Sequence, residues 1–135
     1  MKKETLCWSC DNHNCSWFQR LEPVKGWTAH KDYIVADETE TYCVDRCPEY
    51  HLWDRYFIWL LTAPTNHITQ GKPILDEAIM EKISPISSAL IKMRMEETPV
   101  QTMADYFGNS GGRMNRLLSK AGRQYIEARD KEELR

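Results

Sequence analysis

The chain has 135 residues, enough for one compact domain or two small modules and too few for a large multi-domain enzyme. Eighteen Lys and Arg against twenty Asp and Glu leave a formal charge of −2, which excludes a globally basic nucleic-acid coat. With 41% apolar residues, and five Trp, six Tyr and three Phe, it can bury a core and lacks the composition of a disordered chain.

The opening stretch, Met1 to Cys7, holds no apolar run of signal-peptide length, and the longest apolar run, Tyr56 to Leu61, is too short to span a bilayer. A cytoplasmic protein with no membrane partner is expected. In that reducing compartment, five Cys confined to residues 7–47 argue for a metal site over a disulfide framework. Cys7-x2-Cys10-x4-Cys15 and Cys43-x3-Cys47-Pro48 supply thiolates in two clumps that a fold can bring around one tetrahedral ion, with zinc as the default occupant. The preferred ligands are Cys7, Cys10, Cys15 and Cys47, because Cys47 ends a strand before Pro48 while Cys43 lies inside it, where its side chain can pack. Cys43, His13 and His51 stand as substitutes. With four protein ligands no position is left for water, so the Zn2+ would be structural. A zinc deaminase would need His-x-Glu with Pro-Cys-x-x-Cys, and neither is present. Trp8, Trp17 and Trp27 could stack on bases, but in so small a module they are expected to roof the metal site.

Asp32 to Ala36 and Glu40 to Val44 are rich in β-branched and aromatic residues and flank a polar turn, Asp37-Glu38-Thr39, which predicts a hairpin. From Glu49 to Leu61 the spacing of Trp53, Tyr56, Phe57 and Leu60 predicts a helix whose apolar stripe serves as core. Thr62 to Lys72 breaks that pattern and reads as a loop. Pro73 opens a helix to about Ile83, and Pro85 opens another to about Glu97 with Ile86, Leu90 and Met93 as its seam. The expected fold class is α+β, mainly α: a zinc-binding β module over residues 1–51, an aromatic linking helix and loop over 52–72, and a helical domain over 73–135. Residues 1–51 carry six basic and nine acidic side chains, and the remainder twelve and eleven.

Two resemblances add to this reading. Cys7-x2-Cys10-x4-Cys15-x-Trp17, Pro23 to Ala29, and Tyr42-x4-Cys47-Pro48 resemble small zinc-binding proteins of phages and prophages of Gram-positive bacteria, which implies a mobile-element origin. Thr98 to Gly122 resembles the DNA-binding helix-turn-helix family. Ala104 is small where the two helices would cross, Gly108 sits at the turn, Ser110 can cap the second helix, and Met114, Leu117 and Leu118 face inward. Asn109 and the pair Gly111-Gly112 depart from that pattern.

Charge on the second helix offers an independent test. At about 100° per residue, Arg113, Arg116, Lys120 and Arg123 fall within an arc of about 80°, and Met114, Leu117, Leu118, Ala121 and Tyr125 occupy the adjoining arc. No acid occurs between Gly111 and Gln124. A recognition helix is expected, with Asn115 and Ser119 reaching base edges in double-stranded DNA and the four cations meeting phosphates. The tail from Glu127 to Arg135 could extend a helix towards a second copy in a homodimer. His13, His30, His51 and His67 form no recognisable catalytic motif, so an enzyme is not expected. The primary expectation is a transcription regulator. The alternative, kept by the acidic first half, is an anti-CRISPR-like phage inhibitor that binds a host defence nuclease through protein contacts.

Overall fold

The computed structural model describes residues 5–34, 39–63 and 72–134. Among the described residues the protein is mainly helical, with a small antiparallel two-stranded sheet. It divides into two compact units. One runs to Trp53 and includes the segment ending at Ile74; the other consists of the chain from Asp54 onward, resuming at Leu75.

The first unit opens with a 3-10 turn, Leu6–Ser9, followed by a short helix α1, Ser16–Arg20. The hairpin then pairs β1, Thr28–Ile34, with β2, Thr39–Arg46, in a register that sets His30 opposite Cys43 and Asp32 opposite Thr41. Both strands run further from the turn than the β-branched runs predicted, because the added residues Thr28, His30 and Arg46 are polar and carry no hydrophobic signal. Residues 35–38, and so most of the expected turn, lie outside the described residues. Between Thr28 and Ala29 the register slips, leaving Asp45 without a partner on β1 as a bulge residue.

A second pairing decides where the next helix begins. Cys10 bridges to Leu52, the Trp53 N–H donates to the Ser9 carbonyl at 2.8 Å, and the Asp11 N–H donates to the His51 carbonyl at 2.9 Å. Those bonds commit the backbone of residues 51–53 to strand-like pairing. The helix α2 therefore spans Asp54–Thr62 and not the expected stretch from Glu49. Phe57, Leu60 and Leu61 are fully buried, whereas Trp53, expected on the same stripe, is exposed.

In the second unit the long helix α6, Gly111–Glu133, is packed by α2, by α3 (Glu77–Met80), by α4 (Pro85–Met95) and by α5 (Val100–Phe107). The helix expected from Pro73 is only one turn long: Asp76 caps it, its carboxylate accepting from the Ala78 N–H, and residues 72–76 are not helical. Most of the loop read at Thr62 to Lys72 lies outside the described residues. Ser84 caps α4 and Pro85 occupies its first turn, as Pro can because the N–H it lacks would go unbonded there.

The buried face of α4 is rotated from the expected seam. Ser87, Leu90, Ile91, Arg94 and Met95 are buried, while Ile86 is 58% exposed. The cause is Arg94, whose guanidinium is completely buried. Its Nε donates to the Leu61 carbonyl at 3.0 Å, Nη2 to those of Leu60 and Ala63 at 2.9 and 3.2 Å, and Nη1 to that of Thr98 at 2.6 Å. Leu60 and Leu61 belong to the last turn of α2, where carbonyls have no partner within the helix. One side chain thus caps a neighbouring helix from the core, and α4 turns to present it.

Close approach of α2 to α6 depends on Gly122: a Cβ there would fall 2.5 Å from Ile58 Cδ1 and 2.8 Å from Leu61 Cδ1. Further along α6, Arg129 is only 8% exposed and pairs with Asp54, the first residue of α2, at 2.7 Å and with Asp130 at 2.8 Å. These pairs hold its pKa above the ordinary value, against burial, the largest single influence, which lowers it. Among the described residues no helix is long and apolar enough to cross a membrane.

Candidate metal centre and nucleic-acid interface

The four preferred thiols all belong to the first unit, where no three of their sulfurs fall within 4.8 Å of one another. Cys7 and Cys10 come from the 3-10 turn and its cap, Cys15 from the N-cap of α1, and Cys47 follows β2. All four line one cavity of about 20 Å³, walled by Trp17, Trp27, Val24 and Val44. Trp17, Trp27 and Tyr42 form a three-ring cluster with centroids 5.4–5.6 Å apart, while Trp8, 55% exposed, lines an adjoining cavity with Cys7, Cys10 and Cys15.

Backbone N–H groups are aimed at these sulfurs. Cys10 Sγ accepts from the Asn12 and His51 N–H groups, each at 3.4 Å, and Cys15 Sγ accepts from the Phe18 N–H at 3.4 Å. The Glu49 backbone donates to Cys47. Burial, the largest cause, pushes the Cys7 thiol up; the Thr5 side chain opposes this, and the neighbouring Cys10, Cys47 and Cys15 add to it. Cys47 is raised in the same way, by burial first and then, against the Glu49 N–H, by Cys10 and Cys15. Negative charge on neighbouring thiols is mutually repulsive, and a dication bound among them would reverse that penalty.

Of the substitute ligands, His13 lines an adjoining cavity with Cys7, Cys10 and Cys15 and stacks on Phe18 at 4.4 Å, while the His51 ring contacts Asp11 at 2.5 Å and Cys43, buried in β2, is not among the residues lining the four-thiol cavity. Among the described residues, the His, Cys, Asp and Glu ligand atoms that all fall within 4.8 Å of one another are those of His30, Asp32 and Cys43, a tighter spacing than the four thiols meet. The sequence signal for this trio was weak, because its members are distant in sequence and only the strand register brings them together.

In the second unit α5 and α6 meet at a tight corner. Gly108 ends α5 in the left-handed region at φ 69°, and Ser110 accepts from the Arg113 N–H at 3.1 Å to start α6. Ala104, Met114, Leu118 and Ala121 are fully buried and Tyr125 nearly so. Leu117, expected to face inward, is instead 36% exposed: it stands at the edge of the apolar arc, next to the cations. Arg113, Arg116, Lys120 and Arg123 are all exposed, and no described acid forms an ion pair with them. They lie on the side of α6 opposite its buried face, over about 15 Å of helix. Asn115 is exposed beside them and Ser119 is half-buried. Beyond Gln124 the helix carries paired charge, including Lys131 with Glu127 at 3.5 Å.

No protein-family model, curated protein or solved structure matches the chain.

Proposed function

We propose that this chain is a DNA-binding regulator that lays the cationic side of α6 along a duplex, with a structural Zn2+ held by Cys7, Cys10, Cys15 and Cys47 in its other unit. The observation that carries the DNA reading is the row Arg113, Arg116, Lys120 and Arg123, exposed and without described acidic partners in a chain whose total charge is negative. Solvated cations spaced along one helix face release counterions when they meet phosphates, which supplies affinity. Asn115, exposed within the same surface, can offer the paired donor and acceptor that adenine presents in the major groove. The short α5, the Gly108 corner and the Ser110 cap support a helix-turn-helix presentation of that surface. The zinc reading is supported by the N–H groups directed at Cys10, Cys15 and Cys47.

Fluorescence polarisation with a labelled random duplex at several salt concentrations tests this. If four phosphates are neutralised, log K falls against log salt with a slope of about −3.6. Arg113→Glu with Arg116→Glu is expected to abolish binding, and unaltered binding by that variant refutes the proposal. A second reading, a phage inhibitor of a host defence nuclease, draws on Tyr106, 77% exposed on α5, as an anchor for protein contacts. It predicts no duplex affinity, and capture of a large partner that Tyr106→Ala loses.

A further inference from the structure

One face of the hairpin carries a constellation separate from the thiol cavity. Side chains alternate across a strand, so Cys43 points away from the face of Val44, which lines that cavity. Cys43 is opposite His30 in the register, and Asp32 lies two residues beyond His30 on the same face. An imidazole nitrogen, a carboxylate oxygen and a sulfur from these three residues all fall within 4.8 Å of one another. Asp45, displaced by the bulge, sets its Oδ2 3.2 Å from His30 Nδ1. A carboxylate on one ring nitrogen fixes the tautomer and turns the other nitrogen towards a metal, an arrangement common behind metal-bound histidines.

From this geometry we infer that His30, Asp32 and Cys43 form a second metal site, with Asp45 orienting the His30 ring. The donor set selects the ion. A thiolate and an imidazole disfavour Mg2+ and Ca2+, which take oxygen ligands, and one nitrogen, one oxygen and one sulfur suit Zn2+. Three protein ligands leave the fourth tetrahedral position to water or to a donor from another molecule, unlike the closed four-thiol site. Cys43 is 2% exposed while His30 is exposed, so the ion would sit at the surface with its sulfur ligand beneath it.

Elemental mass spectrometry on the full chain, loaded with Zn2+ and desalted, reads this site as one zinc equivalent. His30→Ala with Asp32→Asn is expected to lose that equivalent while the far-UV circular dichroism stays unchanged; both residues lie on the hairpin and neither is deeply buried. Lys31→Ala, on the other face of the same strand, should keep it. Cys10→Ser removes the equivalent belonging to the four-thiol site and leaves this one, so the two assignments fail separately. Cobalt substitution adds a spectroscopic readout: the Cys10→Ser protein should retain a sulfur-to-cobalt charge-transfer band that disappears with the further change Cys43→Ser. A zinc content unchanged by His30→Ala with Asp32→Asn overturns the inference.

Discussion

Arg94 shows how a single side chain can determine the orientation of a helix. A guanidinium is costly to bury, and burial lowers its pKa. Here its fork meets four carbonyls, three of them from Leu60, Leu61 and Ala63 at the end of α2. Arg94→Ala leaves those carbonyls without this donor in the core and opens a cavity, and should destabilise the protein by about 2–5 kcal/mol in urea unfolding. Arg94→Lys should recover only part of that, because an ammonium is a point donor without the planar fork. Tyr125 sets an alkaline limit in the same way. Its hydroxyl accepts from the Asp76 N–H at 2.9 Å, and burial, the largest cause, raises its pKa above the ordinary 10.0. The folded state therefore holds this proton where the unfolded chain releases it. The resulting stability is fully present below pH 10 and is lost as pH rises from there through the folded pKa. Tyr125→Phe should flatten that decline, as read by unfolding midpoints across alkaline pH.

At the scale of elements, the corner between α5 and α6 is made by local chemistry. Gly108 has nothing within 4 Å of where a Cβ would be placed, so the cost of Gly108→Ala is that of its backbone conformation alone. Thermal unfolding should show a loss of about 1 kcal/mol. Ser110→Ala removes the cap that receives the Arg113 N–H and should cost a similar amount, about 1 kcal/mol. Gly122 differs because its constraint is packing: Gly122→Val drives new atoms into Ile58 and Leu61 and should cost about 1–3 kcal/mol. A cost near zero at Gly122 would show that α2 and α6 can separate without penalty. The helix starts at Pro85 and Ser110 and the stop at Gly108 were legible because helix-opening prolines, caps and left-handed stops act through neighbouring residues. The start of α2 was not, since the bonds that delay it come from Ser9 and Asp11, some forty residues away.

For the whole molecule, if the first unit holds the proposed zinc, the two units should respond differently to metal removal. The first unit is small and, among the described residues, contributes few large buried side chains, so a metal tie between the 3-10 turn, α1 and β2 would carry much of its stability. The second has its own core around α6, with Phe57, Leu60, Ile91, Met103, Met114 and Leu118 fully buried. A strong chelator should therefore collapse the near-ultraviolet dichroism of the Trp17, Trp27 and Tyr42 cluster while leaving most helical signal at 222 nm intact. Simultaneous loss of both signals would show that the units do not fold separately.

By itself the sequence determined the mixed, mainly helical class, the corner at Gly108, and the segregation of cations from the apolar side of the last helix. Each depends on residues within a few turns of one another, where periodicity and capping act directly. Tertiary structure decided where α2 begins, which face of α4 is buried, and that His30, Asp32 and Cys43 approach one another. Those outcomes depend on strand register and on hydrogen bonds between residues far apart in the chain, and neither has a local sequence signal.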